Sequence, residues 1–274
     1  LTRGQTDMGM VAAVLRPCEI RAFIELVKLN QGSMDNVLLI GVDCYGAFSN
    51  ADYQRYLASN GQSTVTDKTL NYLKAVSGGA TSIEGIELAG GCRACEHPAA
   101  DSADLSIGLF GLDPDQALLA ISNTPRGEGL LNRLDLPEAA SLDARTKHLA
   151  EIVNERTAFR DDMFSKTAEA TDNLEKLSEY LSGCVNCYNC RVACPVCYCK
   201  ECVFVTDVFD HKPWQYLGWA RQKGALKLPT DTVFFHLTRL AHMSASCIGC
   251  GQCSNACPNN VPVMELFRMV AADV

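Results

Sequence analysis

The sequence predicts three parts in order: an α/β domain, a helical linker, and a small cysteine-rich α+β module interrupted by an insertion. Three observations carry this prediction. Through residues 1–140, short apolar runs alternate with helical patterns, as expected of strands and helices built around a sheet. Across 141–183 the chain turns charged, with apolar residues recurring every three or four positions. In 184–274 the cysteines crowd together: eleven of the chain's fifteen lie between Cys184 and Cys257.

The apolar run from Met8 to Leu15 predicts a buried strand. Pro17 then opens a helix, where its missing N–H is harmless. Ile20, Phe23, Ile24 and Val27 give that helix one apolar face, and Gly32 is its expected stop. Val37 to Val42 predicts a second buried strand, ending at Asp43-Cys44. Lys68 to Val76 reads as a helix, and Leu105 to Leu109 and Ala117 to Ile121 as further strands. In the linker, Leu149, Ile152, Val153, Phe159, Met163 and Phe164 form a stripe. The pattern weakens from Ser165 to Asp172, so two helices or one kinked helix are expected. Leu174, Leu177 and Leu181 resume the stripe, with Gly183 as the expected stop. The stripe could dock a partner, but packing on the chain's own core is the simpler use.

Composition excludes several classes. Hydrophobic residues make up 47% of the chain, enough to bury a sizeable core. A net charge of −8 argues against nucleic acid as a partner. No apolar run approaches ~18 residues, so no membrane span is expected, and no secretory leader is visible. Leu1 is not an initiator methionine and a strand-like run follows almost at once, so further residues are expected upstream. An odd cysteine count at metal-ligand spacing fits a reducing compartment, and a cytoplasmic location in an anaerobe is expected. There is no Walker loop, serine nucleophile elbow, HExxH site or recognisable carboxylate pair. Substrate activation is therefore expected on another chain of a complex.

Two cysteine runs carry the chemistry: Cys184-Val-Asn-Cys187-Tyr-Asn-Cys190-Arg-Val-Ala-Cys194-Pro195 and Cys247-Ile-Gly-Cys250-Gly-Gln-Cys253-Ser-Asn-Ala-Cys257-Pro258. Each is C-x2-C-x2-C-x3-C-P, the spacing of bacterial two-cluster ferredoxins, in which the fourth cysteine reaches the other cluster. The expected sets are Cys184, Cys187, Cys190 and Cys257 for one 4Fe–4S cluster, and Cys247, Cys250, Cys253 and Cys194 for its neighbour. Zinc sites pair two C-x2-C hooks instead of triplets with a trailing C-P. The 184–274 part is thus an α+β ferredoxin-like module, with the insertion running from Cys197 to Ser246. Cys197, Cys199 and Cys202 are surplus to these sets. They could hold part of a further cluster, completed by His211, Asp207 or a partner chain. They could instead bind zinc with His211, or be buried thiols. Trp214, Tyr216, Trp219, Phe234, Phe235, His236 and His242 read better as a water-excluding shell than as ligands.

Four cysteines lie elsewhere. Cys18 falls at a helix start, Cys44 at a strand end, and Cys92 and Cys95 form a hook introduced by Gly90-Gly91. Helix N-termini favour thiolates, and the carboxyl ends of strands are where α/β sheets gather ligands. On spacing alone, a third 4Fe–4S cluster and a chance grouping of buried cysteines both remain open. The segments Arg16-Pro-Cys18-Glu-Ile-Arg-Ala22, Ile40-Gly-Val-Asp-Cys44, Cys92-Arg-Ala-Cys95, Ala103-Asp-Leu-Ser-Ile-Gly108 and Asn123-Thr-Pro-Arg-Gly127-Glu-Gly-Leu-Leu131 resemble the beta subunits of deazaflavin-reducing hydrogenases and formate dehydrogenases. The match covers most of 8–135, and the formate dehydrogenase branch also carries ferredoxin motifs.

That resemblance implies a 4Fe–4S cluster on Cys18, Cys44, Cys92 and Cys95, and FAD in the same domain. It implies electron exchange between a deazaflavin coenzyme and a catalytic formate dehydrogenase or hydrogenase subunit. In some members of the broader group the partner is a heterodisulfide-reductase-type assembly. No G-x-G-x-x-G fingerprint follows a strand, so Ser106, Gly108 and Arg126 are flavin candidates by position only. The expected function is an iron–sulfur electron-transfer subunit with FAD bound. The alternatives are a flavin-free relay and a zinc-stabilised interaction protein.

Overall fold

The computed structural model describes residues 9–59, 63–199, 202–206, 211–224 and 229–272. Met8 and Asp207, named above, lie outside these. The chain divides into two compact units. One runs to Met163 and includes Ile248–Gly251; the other comprises Phe164–Cys247 and the residues from Gln252 onward.

The first unit opens with β1 (Val11–Leu15) and α1 (Pro17–Lys28), followed by β2 (Val37–Val42). Pro17 stands in the first turn of α1, where Glu19 Oε2 accepts the Arg16 N–H at 2.8 Å and Glu19 Oε1 accepts Arg16 Nη2 at 2.8 Å. The helix stops before Gly32, because Asn30 takes the left-handed conformation (φ 57°). Asparagine tolerates that geometry, and Gln31 N–H then bonds back to Leu26 O. Next come α2 (Asn50–Ala58), α3 (Val65–Ser77), the short hairpin β3 (Ser82–Ile83) and β4 (Ile86–Glu87), and α4 (Gly90–Arg93). Then follow β5 (Leu105–Gly108), β6 (Leu119–Ser122), α5 (Pro125–Leu131) and α6 (Asp143–Ala170).

The sheet order is β1-β2-β5-β6, parallel except for β6. Two strand limits differ from expectation. β5 ends one residue early because Leu109 N–H turns to the Asp43 carboxylate at 3.0 Å. β6 starts after Ala117 because that residue bonds into a turn on Asp113 O. One core of the unit joins Ile20, Phe23, Val37 and Leu39 to Ala100 and Ala103. Another is aromatic, with Tyr45, Phe48, Tyr56 and Phe110.

The second unit adds α7 (Leu174–Tyr180), α8 (Asn189–Val192), α9 (Pro213–Lys223), α10 (Pro229–Met243), α11 (Gln252–Asn255) and α12 (Val263–Ala272). The weak pattern at 165–172 resolves as a break between α6 and α7, where Asn173 caps the new helix by accepting Lys176 N–H at 3.0 Å. The stop falls at Leu181 instead of Gly183. No helix among the described residues is long and apolar enough to cross a membrane.

Candidate metal centres

In the first unit, β1 and β2 run parallel, so their carboxyl ends share one edge of the sheet. Cys18 stands two residues into α1, just past β1, and Cys44 follows β2. α4 carries Cys92, and its C-terminal end supplies Cys95. The four are close enough to act on one another. Burial pushes the Cys18 thiol up, and Cys44 and Cys95 add to it. Burial likewise raises Cys44, and takes Cys92 to about 11, with Cys44, Cys95 and Cys18 contributing. Opposing influences are built in. Arg16 draws Cys18 down, and the Gly46 N–H and Arg156 do the same for Cys44. The Ala47 N–H does so for Cys92. Burial thus disfavours the thiolate at Cys18, Cys44 and Cys92, while these cations and N–H groups favour it once a metal displaces the protons.

The loop carrying Cys250 belongs to this unit. Arg21 Nη1 donates to Ile248 O at 3.0 Å. A Cβ on Gly91 would stand 2.9 Å from Gly251 Cα and 3.2 Å from Cys250 C. Glycine is therefore required in the hook for the 250–251 backbone to pass.

In the second unit, Cys184, Cys187, Cys190 and Cys257 line one cavity, together with Tyr188 and His236. The sulfurs of Cys184, Cys190 and Cys257 are already engaged. Asn186 N–H meets Cys184 Sγ at 3.4 Å, Val261 N–H meets Cys257 Sγ at 3.3 Å, and Arg239 Nη1 donates to Cys190 Sγ at 3.1 Å. His236 Nε2 lies 3.4 Å from Cys184 Sγ. Asn186 and Tyr188 hold positive φ, 52° and 61°, which winds the chain between the cysteines and aims backbone N–H groups inward. Burial pushes Cys190 up, Arg239 opposes this, and Cys184, Cys187 and Cys257 reinforce it. Burial, with Arg239 beside it, takes His236 down to about 4, leaving a neutral ring.

Cys197 lies near Cys194 and Cys199. Cys199 is exposed, while Cys202 packs with Cys253 against the Cys190–Phe204–Phe235 cluster. His211 stacks edge-on to Trp219 and Tyr216, centroids 4.7 and 5.8 Å away. Cys247, Cys253 and Cys194 are in the second unit and Cys250 is in the first. Among the described residues, no three His, Cys, Asp or Glu side chains are grouped as the ligands of a single metal ion. A zinc site needs four donors at 2.0–2.3 Å from one centre, whereas a 4Fe–4S cluster spreads its cysteines over four irons.

The positional flavin candidates are all engaged by the fold, Ser106 and Gly108 in its interior and Arg126 at its surface. Ser106 is 1% exposed; its hydroxyl donates to Ala100 O at 2.9 Å and accepts from Asn123 Nδ2 at 2.7 Å. A Cβ on Gly108 would meet Arg145 Nη1 at 3.2 Å. Arg126 Nη1 donates to Val37 O at 2.6 Å. The Asn123–Leu131 motif is likewise a structural knot. Thr124 Oγ1 donates to Asp104 at 2.8 Å and accepts Gly127 N–H, and a Cβ on Gly127 would stand 2.0 Å from Asp104 O.

The family model for the C-terminal part of the coenzyme F420 hydrogenase/dehydrogenase beta subunit matches residues 8–148. This chain belongs to the coenzyme F420 hydrogenase/dehydrogenase beta subunit family. A 4Fe-4S dicluster domain matches residues 180–261, so this beta-subunit relative is an iron–sulfur oxidoreductase subunit. It is 29% identical over 280 residues to the F420-dependent formate dehydrogenase subunit beta of Methanocaldococcus jannaschii, covering 94% of this chain and 69% of that protein. It is 25% identical over 285 residues to the F420-dependent formate dehydrogenase 1 subunit beta of Methanococcus maripaludis, covering 95% and 69%.

Motif reading missed the buried arginines that attend the thiols of this family member. Arg145 and Arg156 interrupt the apolar stripe of α6, yet both are buried. Arg145 grips Asp43, and Arg156 Nη2 donates to Tyr45 O at 2.6 Å, beside Cys44. Arg239 interrupts the apolar face of α10 in the same way. A cation set within an apolar stripe was the available signal.

Proposed function

We propose that this chain is the iron–sulfur electron-transfer subunit of a multi-subunit, formate dehydrogenase-type oxidoreductase working with a deazaflavin coenzyme. One observation carries the reading. Cys257, from the second triplet's far end, lines the same cavity as Cys184, Cys187 and Cys190, where N–H groups and a guanidinium already point at sulfur. That donor set fits a 4Fe–4S cluster, which supplies one-electron storage. On the same reading Cys194, Cys247, Cys250 and Cys253 hold a second cluster. Cys18, Cys44, Cys92 and Cys95 hold a third, with Arg16 and Arg156 offsetting the negative charge of their thiolates. The names of the two relatives support formate as the electron source and the coenzyme as the exchange partner. Formate activation then falls to another subunit, in a reducing cytoplasm. A heterodisulfide-reductase-type assembly is the further partner implied by family resemblance.

FAD is the finer part of the proposal and rests on family resemblance. A flavin-free relay is the second reading, favoured by the internal engagement of Ser106, Gly108 and Arg126. Anaerobic native pull-down with iron, sulfide and flavin analysis tests both. Three clusters predict about twelve irons per chain. Stoichiometric FAD selects the first reading, and iron-replete protein without flavin selects the second. An iron-free sample silent to dithionite in electron paramagnetic resonance refutes both.

A further inference from the structure

Arg239 is 4% exposed and lies in α10. Its Nη1 donates to Cys190 Sγ at 3.1 Å and its Nη2 to Cys190 O at 3.2 Å. The guanidinium carbon sits 4.6 Å from the Phe267 ring centroid and 5.6 Å from that of Phe235. Nε has no hydrogen-bond partner. Among the described residues no carboxylate pairs with this group. Aromatic faces attract a cation, but they do not neutralise it. A buried guanidinium without a counter-ion is strongly unfavourable, so the site calls for an anion where the fold has placed Cys190.

We propose that Arg239 sets the reduction potential of a cluster held by Cys184, Cys187, Cys190 and Cys257, by fixing positive charge and two N–H donors on Cys190. The inference rests on the cluster reading above and adds a positioning residue to it. Four thiolates around a cluster leave net negative charge at the site. One-electron reduction, here by dithionite, adds one more negative charge and makes or breaks no bond at Arg239. The guanidinium favours the more negative state, so it raises the potential, in the way that charge and hydrogen bonds to sulfur tune iron–sulfur sites. The other N–H donors on this cavity, from Asn186 and Val261, act in the same direction without carrying a full charge.

The test uses the full chain, anaerobically purified with its metal, and a potentiometric titration followed by electron paramagnetic resonance. Arg239→Met keeps bulk and removes charge. At full iron content it should lower the reduced-to-oxidised ratio of one signal by about tenfold at fixed potential, a shift of about 59 mV for a one-electron couple. Arg239→Lys keeps the charge and should recover most of that shift. An unmoved midpoint in iron-replete Arg239→Met overturns the assignment. So does a Lys variant as low as Met, which would mean that shape and not charge matters. If Arg239→Met does not fold, wild-type protein labelled with guanidino-15N arginine decides. A 15N coupling on the reduced signal, lost in Arg239→Lys, is expected, and its absence refutes the contact. Wild-type protein without iron would sink the cluster reading itself, and this inference with it.

Discussion

Asp43 sits fully buried at the carboxyl end of β2, one residue before Cys44. Its Oδ1 accepts Arg145 Nη2 at 3.1 Å, and its Oδ2 accepts both Arg145 Nη1 and the Leu109 N–H. Such a pair is costly to break from one side, because the remaining charge is stranded away from water. Arg145→Leu should destabilise the chain by ~3–5 kcal/mol in chemical denaturation; a loss below ~1 kcal/mol would mean that water reaches Asp43. Glu265 shows the opposite imbalance. Burial raises its carboxyl, while the Ser254 hydroxyl, donating at 3.3 Å, only partly opposes this. The folded state therefore holds a proton that the unfolded state releases near its ordinary value of 4.5. Stability falls as pH climbs from there through the raised folded value. Glu265→Gln should leave the melting temperature unchanged at pH 4 and raise it at pH 7; equal effects at both pH values would count against this.

At the scale of elements, the strands of the four-stranded sheet were legible and helix starts less so. The two-residue strands of the β3–β4 hairpin are too short to show a pattern. The described residues of 184–272 hold helices and loops without a strand, not the strands expected of an α+β module. Val37–Val42 is apolar at nearly every position because the strand is covered on both faces, as parallel sheets require. α2 escaped because its stretch Asn50–Ala58 is polar and only Tyr56 is buried. The signal present was its cap, Ser49-x-x-Asp52, in which Ser49 Oγ accepts the Asp52 N–H at 3.1 Å. Thr64-x-x-Asp67 likewise starts α3 three residues before its apolar pattern begins. Ser49→Ala should cost ~1 kcal/mol in thermal unfolding, with a neutral result showing that α2 is held by Tyr56 alone.

For the molecule as a whole, the proposed clusters require the two triplets to exchange their fourth ligands. Cys257→Ser should abolish the same paramagnetic signal as Cys184→Ser and spare the one lost in Cys253→Ser. Were Cys257→Ser and Cys253→Ser to remove the same signal, each triplet would hold its own fourth ligand.

The metal class and the number of thiols were readable from residue spacing, because three cysteines on one short turn keep their separations whatever the rest of the chain does. The charges and donors around each sulfur were not. Arg239 reaches Cys190 only once α10 packs beside α8, and Asp43 meets Arg145 only across the sheet edge from α6. These contacts join residues far apart in sequence, and burial alone makes them strong. Packing therefore decided which thiols are dry, which are paired with a cation, and which of the positional flavin candidates serve the fold.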